Sequence, residues 1–342
     1  MLDFPQKFFL EETREDFTID SSMKSFWAAE LEVLREIAEV CERHNLQWYT
    51  AYGTLLGTIR HEGFVPWDDD MDIWMKREDY NKFMEVAPKE LPEGFVVESP
   101  LTEKGYTQFH SCVFNAFSIS VSPERLQKYH GCPFAVGLDI FPLDYLPNNE
   151  EEREGQQAIF NLLGLTVAMM KKEGKTEEDE TDLQEAFDVL EDVCGVTFER
   201  EWLGTEKEDD LLSSVYKLAN QLCTCYGEAD GDYLVMYMDY AKWPSKIYQK
   251  EWFAETIQKP FEGFLVPVPV GYDEILRRIY GDYHVRVRSG GMHNYPLYGK
   301  QLKHLREVTE GLEAKAAKID ELIAQAKKER MAERTLKPEE IR

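Results

Sequence analysis

The stretch of sequence that decides the fold runs from Gly53 to Ile73 and reads GTLLGTIRHEGFVPWDDDMDI. Its small residues predict a turn at Gly53 and Thr54 that opens a short helix, and Pro66 closes the loop after that helix. Glycine lets the backbone approach a ligand closely, and the first turn of a helix offers free N–H groups to a phosphate. The turn therefore predicts a phosphate contact, with an ordinary strand-to-helix connection as the alternative.

A run of acidic residues ends this stretch. Asp68, Asp70 and Asp72 alternate along a predicted strand, and alternate side chains of a strand share one face. Three carboxylates on one face repel each other, and they are costly to desolvate unless a cation neutralises them. Carboxylates are also common protein ligands of Mg²⁺ or Mn²⁺ bound against phosphate oxygens. The spacing therefore predicts a metal-dependent phosphoryl-transfer site.

Asp139 is predicted to complete the metal site from a neighbouring strand. It lies inside the apolar run VGLDIF, on a strand predicted from Phe134 to Phe141 and stopped by Pro142. An acid in such a run needs a positive partner, so pairing with Arg or Lys is the alternative to a metal. Asp144 is the second choice for the third carboxylate.

Two other interpretations of the acidic run stay open. The run begins like a calcium-binding loop and has Asp79 at the twelfth position, but Ile73 stands at the sixth position, where that loop needs glycine. A solvated acidic turn is the other interpretation.

Basic and thiol side chains give two further candidates. Arg60 and His61 follow the glycine turn and are predicted to reach a phosphate or a ribose, with a surface role as the alternative. Two His-x-Cys pairs could form a zinc site, although their spacing differs from that of ordinary zinc modules: His110, Cys112, His130 and Cys132.

The composition limits the classes of partner. The chain has 342 residues, 43% of them hydrophobic, and a formal charge of −26 from 65 acids and 39 bases. Such a charge repels nucleic acid and anionic membrane surfaces unless a local basic patch overcomes it. The N-terminus lacks the order of a signal peptide, and the longest apolar run, around 162–170, is too short to span a bilayer. We therefore expect a cytoplasmic protein with reduced cysteines, without nucleic-acid partners and without a transmembrane segment.

The periodicity predicts an α/β (α+β) fold with a mixed β-sheet core flanked by helices. We expect a helix at 24–44 with its cap within 20–22, another at 78–87 ended by Pro88, and three strands within 94–121. The predicted parts are an N-terminal arm at 1–23, a catalytic core at 24–149, a helical insertion at 150–230, strands and a helix that complete the core at 231–299, and a C-terminal helix at 300–342.

These residues give the chain a resemblance to a known family. It resembles the LicD family, which includes the fukutin-type transferases and belongs to the nucleotidyltransferase-fold superfamily. The main match extends from Tyr52 to Ile73 and is long and specific. Shorter matches are the helix end at 41–44, LDIFPLD at 138–144, PFEG at 260–263 and YGDY at 280–283. The resemblance covers residues 24–300, and more loosely within 150–230.

The resemblance implies a nucleotidyltransferase-like core in which the glycine turn cradles phosphates. It also implies Mg²⁺ or Mn²⁺ as the cofactor and a CDP-linked donor. From that donor, phosphocholine or a polyol phosphate would pass to a glycan or a teichoic-acid-type acceptor. By position, the implied metal ligands and their neighbour are Asp70, Asp72, Asp139 and Asp68.

The sequence therefore predicts a metal-dependent phosphotransferase that releases CMP, with Asp70, Asp72 and Asp139 as its catalytic residues. Attack on the phosphorus next to the nucleoside would instead make it a nucleotidyltransferase. A sugar-nucleotide glycosyltransferase also uses an Asp-x-Asp metal site, and a non-catalytic protein could use the same acids as a structural cation or nucleotide site. The sequence leaves open the head group of the donor, the acceptor and the oligomeric state.

Overall fold

The computed structural model describes residues 1–100, 106, 108–288 and 295–335. The chain divides into two compact units, Met1–Gly291 and Met292–Arg342. The first unit carries the sheet and every residue of the predicted site. The second unit contains one long helix, Gly299–Thr335, and the last part of the helix predicted at 300–342 lies outside the described residues.

The strands and helices are numbered in chain order. The strands are β1 (Glu12–Arg14), β2 (Phe17–Ile19), β3 (Tyr49–Thr50), β4 (Asp72–Lys76), β5 (Val96–Glu98), β6 (Ser111–Phe114), β7 (Gly137–Leu146), β8 (Tyr233–Val235), β9 (Tyr248–Gln249), β10 (Thr256–Phe261) and β11 (Phe264–Pro269). The helices are α1 (Ser21–Arg43), α2 (Tyr52–His61), α3 (Arg77–Glu90), α4 (Pro123–Lys128), α5 (Glu150–Lys171), α6 (Glu177–Cys194), α7 (Glu208–Cys223), α8 (Tyr237–Lys242), α9 (Tyr272–Tyr280) and α10 (Gly299–Thr335). Short 3₁₀ helices occupy Gln6–Phe9, Arg200–Trp202 and Lys250–Phe253.

The core is a mixed sheet, as the sequence predicts. Within the described residues its order is β3-β4-β7-β6-β5, and β8 pairs with the far end of β7 and with β9. Strands β4 and β7 are parallel, whereas the other neighbours are antiparallel. Two hairpins stand apart from this sheet, β1-β2 and β10-β11. The parallel pair at the centre carries the predicted site.

Helix α1 shows how the sequence builds one of the layers around the sheet. It begins within the predicted cap, because the Asp20 side chain accepts a hydrogen bond from the Met23 N–H at 2.8 Å. Its apolar face is buried, and Trp27 stacks on Phe64 with ring centroids 4.4 Å apart. Because Phe64 lies in the loop between α2 and β4, this contact fixes the approach to the acidic run.

Two predictions based on proline are wrong. Pro142 does not stop β7, which continues to Leu146. Strand β6 pairs with β7 only as far as Ile140, and β8 begins its pairing at Asp144. On the edge of β7 that pairs with β6 and β8, no described strand therefore lies opposite Pro142. Proline has no N–H to donate, and at this position no hydrogen bond between strands is lost. Pro88 likewise lies inside α3, where only the last turn loses a hydrogen bond.

Two predicted strands also differ from the structure. Strand β4 begins only at Asp72, so Asp68 and Asp70 lie in the loop before it rather than on it. The third strand predicted within 94–121 does not form, and the Phe117 side chain there is exposed. The alternation of acids predicted a strand that begins at Asp68. The observed strand β4 is shorter, because β3 pairs with it through only two residues.

The region after residue 150 is helical, as expected. Helices α5, α6 and α7 pack around their own apolar cluster, which includes Leu163, Phe187, Leu211 and Val215. The predicted limits of this insertion and of the other parts stay predictions. Among the helices described, none combines the length and the apolar composition that crossing a membrane requires.

Candidate active site

Asp72 and Asp139 lie directly opposite each other on adjacent parallel strands. The register of β4 and β7 pairs Asp72 with Asp139, and it pairs Ile73 with Ile140. Paired residues of a ladder point to the same face, and the next pair points to the other face. The two carboxylates therefore share one face of the sheet, while the two isoleucines are buried on the other. The structure thus brings together two of the predicted metal ligands.

The turn that opens α2 holds the acids in place. The Thr54 hydroxyl oxygen accepts a hydrogen bond from the Asp72 N–H at 2.9 Å, and the Asp72 carbonyl accepts one from the Ala51 N–H at 2.9 Å. Gly53 lies so close to Asp68 that a Cβ atom on it would overlap the Asp68 carboxylate. Glycine at this turn therefore makes room for the Asp68 side chain. The sequence had predicted only a phosphate contact for this glycine.

Aromatic rings line the same face of the sheet beyond the acids. Trp74 and Phe141 form the pair two residues after Asp72 and Asp139. The Tyr52 ring centroid lies 4.9 Å from that of Trp74 and 5.2 Å from that of Phe141. Tyr52 has a φ of +40°, a strained conformation for a residue other than glycine, and such strain persists only where the surroundings fix it. These rings make an apolar wall beside the carboxylates.

The acids disfavour one another's ionisation. Burial raises the pKa of Asp72 well above its usual range, and three nearby carboxylates raise it further: Asp70, Asp139 and Asp68. Glu30, fully buried on α1, also has a raised pKa, because of burial and then because of the charges of the aspartate run. Within the described residues, the charged groups named as raising the pKa of Asp72 and Glu30 are all aspartates. Ionisation of Asp72 therefore requires positive charge from outside this set.

His110 and Cys112 contact Asp139 from the other side. His110 Nε2 lies 3.3 Å from Asp139 Oδ2. Cys112 pairs with Asp139 across β6 and β7, and burial followed by that carboxylate raises the pKa of its thiol. His130 instead contacts Glu32 at 2.8 Å, so the four residues of the suggested zinc site do not come together.

The aspartate carboxylates are suitable ligands for a hard divalent cation, although their side chains are not arranged around a common point. Within the described residues no group of three or more His, Cys, Asp or Glu side chains is arranged to hold a metal ion. The acidic run and Asp139 nevertheless offer carboxylate oxygens, and their mutual repulsion is what a bound cation relieves. Asp139 keeps 39% of its side chain exposed. Cation binding would therefore need Asp70, Asp72 and Asp139 to converge from their present positions.

Asp144, the second choice for the third ligand, has a different partner. Its Oδ1 and Oδ2 accept hydrogen bonds from Arg77 Nε at 2.5 Å and Arg77 Nη2 at 2.9 Å. Arg77 also donates to Asn220 on α7 at 2.8 Å, so the pair ties the sheet to the helical insertion. Asp144 is five residues from Asp139 on β7, so the two acids point to opposite faces. Asp144 is thus an acid of a buried ion pair.

Arg60 and His61 lie at the other end of α2, about 10 Å along the helix from the glycine turn. Arg60 Nη1 donates to the Tyr283 carbonyl at 3.1 Å, and His61 Nε2 lies 3.1 Å from Glu15 Oε1. Helix α9 packs against α2 and ends at Tyr280, three residues before the Tyr283 carbonyl that accepts the hydrogen bond from Arg60. Phosphate contacts by Arg60 and His61 remain a proposal.

Sequence reasoning did not assign His110, Tyr280 or Glu30 to this site. Cys112 pairs with Asp139, and His110 lies two residues before Cys112. Knowledge of that strand pairing would therefore have placed His110 near Asp139. Tyr280 belongs to the YGDY segment, which gave the resemblance without a role for its first residue. Glu30 gives no local signal, because it is one acid among several on α1 and its burial depends on the packed sheet.

The chain is similar to one known family and to known proteins. Residues 45–145 match the family model described as LicD/FKTN/FKRP, nucleotidyltransferase domain. The lipopolysaccharide cholinephosphotransferase LicD of Haemophilus influenzae is 28% identical over 254 residues, which cover 74% of this chain and 88% of that protein. An uncharacterized protein of Rickettsia typhi is 34% identical over 58 residues, or 17% of this chain and 19% of that protein. The resemblance to the LicD family seen in the sequence is confirmed for residues 45–145, which match its nucleotidyltransferase-domain model, and the similarity to the Haemophilus protein extends over 74% of the chain.

Proposed function

We propose that this protein is an Mg²⁺- or Mn²⁺-dependent phosphotransferase. It would move phosphocholine, or a related polyol phosphate, from a CDP-linked donor to a glycan hydroxyl and release CMP. The observation that carries the proposal is the pairing of Asp72 with Asp139 beside the turn at Gly53. The printed name of the Haemophilus relative, a cholinephosphotransferase, favours phosphocholine as the group transferred.

Each residue of the site would have a separate task. Asp70, Asp72 and Asp139 would hold the divalent cation, with Asp68 adjacent. A cation bound there would offset the negative charge of the donor phosphates. Thr54 fixes the Asp72 backbone through its hydrogen bond.

The acceptor hydroxyl must lose a proton as it attacks phosphorus. Asp139 Oδ1 is left to hold the cation, because His110 lies against Oδ2, and a cation there would lower the cost of losing that proton to water. Arg60 would add positive charge toward the phosphates, and the backbone at Gly53 and Thr54 would contact their oxygens. The acceptor hydroxyl would attack beside the apolar wall, where the rings of Tyr52 and Phe141 would keep water away.

The products separate this function from the alternatives. Attack on the phosphorus distal to the nucleoside releases CMP, whereas a glycosyltransferase releases a nucleoside diphosphate and a nucleotidyltransferase attaches the nucleotide to its acceptor. A structural cation site would bind metal equally well with and without nucleotide. We place the reaction in the cytoplasm as part of the proposal, with a glycan or a teichoic-acid-type polymer precursor as acceptor.

A donor screen tests the proposal directly. The purified chain would be incubated with Mg²⁺ and CDP-choline, CDP-ribitol or CDP-glycerol, with a glycan acceptor, and CMP would be measured. We expect CMP from at least one donor, and loss of that release in the Asp139→Asn variant. The matched control is Asp192→Asn, an exposed acid on α6 far along the chain from the site. Full metal-dependent turnover by folded Asp139→Asn protein would contradict the proposal.

A further inference from the structure

Three separate segments bring a small cluster of charged groups together near the end of α2. Glu15, on the turn between β1 and β2, has its Oε1 atom 3.1 Å from His61 Nε2 and 2.7 Å from Arg286 Nη1. Arg60 precedes His61 on α2, where burial lowers the pKa of its guanidinium group and the charge of Glu15 acts against that shift. Glu15 and its neighbour Asp16 have φ values of +50° and +59°, a strained turn that the surrounding contacts must hold.

The cluster has more positive charge than negative charge. Arg60 and Arg286 carry two guanidinium charges against the single carboxylate of Glu15. Burial lowers the pKa of His61, and Arg60 lowers it further, so the imidazole is neutral at pH 7. Arg286 also lowers the pKa of Arg60, as a like charge does. On a chain with a net charge of −26, this is a local site of opposite sign.

Several polar atoms in the cluster are buried without a hydrogen-bond partner among the described residues: Arg60 Nε, Glu15 Oε2 and His61 Nδ1. An unpaired buried donor on a guanidinium is costly unless an acceptor arrives. Arg286 keeps 59% of its side chain exposed, so a ligand can reach its guanidinium group while Nη1 stays paired with Glu15. The cluster can therefore accept an oxyanion without the loss of an internal ion-pair core.

The cluster and the acidic site lie toward the two ends of α2, about 10 Å apart along the helix. A donor that extends along α2 would thus bring one phosphate toward the carboxylates and its neighbouring phosphate toward the guanidinium groups.

We infer that Arg60 and Arg286 form an oxyanion subsite for the diphosphate of the nucleotide donor, with Glu15 as the positioning residue that holds Arg286. This inference rests on the proposed function and adds a residue that the sequence motifs do not include. A diphosphate carries negative charge on both phosphates, so it gains from guanidinium groups at the end remote from the aspartates. Arg286 supplies a planar donor pair there, which a lysine would not reproduce.

Binding of CDP to the full chain, measured by calorimetry with Mg²⁺ present and no acceptor, tests the subsite apart from catalysis. We expect Arg286→Gln to weaken CDP binding roughly tenfold, as for the loss of a charged hydrogen bond to phosphate. Arg286→Lys is expected to recover only part of that loss. The matched control is Arg277→Gln, an arginine with 52% of its side chain exposed that pairs with Asp273 instead, and it should bind CDP like the wild type.

The outcomes distinguish this inference from the proposed function. Equal CDP affinity in the Arg286→Gln and Arg277→Gln variants would overturn the subsite, whatever the donor screen shows. Arg286-dependent CDP binding in a protein that releases no CMP from any donor would support the subsite and contradict the phosphotransferase. Inorganic pyrophosphate serves as a second probe, and it should lose affinity by the same factor as CDP, because the contact is to phosphate and not to the base.

Discussion

Strand β7 carries two aspartates whose surroundings are opposite in character. Asp139 faces Asp72 across the parallel ladder, and the charged groups that act on Asp72 are carboxylates. Asp144, on the other face, is fully buried and receives two hydrogen bonds from Arg77. The residue type is the same, so the difference comes from what each face of the sheet presents.

The comparison shows how one strand separates stability from chemistry. At Asp144 the positive charge is built into the chain, and the pair joins the sheet to the insertion through Asn220. Around Asp139 and Asp72 the chain supplies further carboxylates, with the His110 imidazole against one oxygen of Asp139, so the site can take up positive charge from solution. The sheet's alternation of faces keeps the two environments apart although they lie five residues from each other.

The largest expected effect is on stability, at the Asp144 end. Asp144→Asn leaves the buried Arg77 charge uncompensated, and we expect the free energy of unfolding to fall by about 3–5 kcal/mol. Urea denaturation of the variant beside Asp192→Asn measures it. The double variant Arg77→Met with Asp144→Leu should recover much of the loss, because an apolar pair replaces the ion pair. A loss below 1 kcal/mol for Asp144→Asn would contradict this account.

The next effect is on activity, at the Asp139 end. Asp139→Asn should reduce CMP release by more than about 100-fold, since even outer partners of metal ligands contribute 10- to 100-fold. Its free energy of unfolding should stay within about 1 kcal/mol of the wild type, because the substitution relieves repulsion. Steady-state kinetics and urea denaturation of the same preparation test both parts. If Asp139→Asn lost much of its stability but kept its turnover, Asp139 would serve stability rather than activity, and the account would be contradicted.

The glycine turn gives a smaller effect. In Gly53→Ala the new Cβ would overlap the Asp68 carboxylate and force that side chain to turn away. We expect kcat/KM to fall roughly 10- to 100-fold, as for a misplacement of about 1 Å near reacting groups. Gly155→Ala is the control, because a Cβ at that position on α5 meets nothing within 4 Å. Equal activity of the two variants would show that the position of Asp68 does not matter.

The smallest effect concerns the pH dependence of stability without metal. The raised pKa of Asp72 means that its contribution to stability is present at low pH and is lost as pH rises through the folded-state pKa. Asp72→Asn, which cannot ionise, should therefore be more stable than the wild type at pH 8 in EDTA, by on the order of 1 kcal/mol. The advantage should vanish near pH 4. Thermal unfolding at both pH values measures it, and a constant difference would contradict the sign.

The sequence predicted which acids the fold brings together, Asp72 and Asp139, better than the elements that hold them. Spacing placed the acids near a glycine turn, and the apolar run around Asp139 predicted a buried strand, because these signals are local. The sequence prediction failed at Pro142. A strand tolerates proline where no neighbouring strand needs its N–H, and among the described strands neither β6 nor β8 pairs with β7 at that position. The prediction also failed to find Arg286 and Glu15, which meet only after distant segments fold together.

The account depends most on the claim that Asp72 and Asp139 bind the same divalent cation. Titration with Mn²⁺, followed by electron paramagnetic resonance with and without CDP-choline, tests it in four proteins: wild type, Asp72→Asn, Asp139→Asn and Asp192→Asn. We predict that CDP-choline tightens Mn²⁺ binding in the wild type and the Asp192→Asn control, and that both site variants lose the binding. Mn²⁺ binding by folded Asp139→Asn protein that equals the wild type with CDP-choline present would contradict the claim.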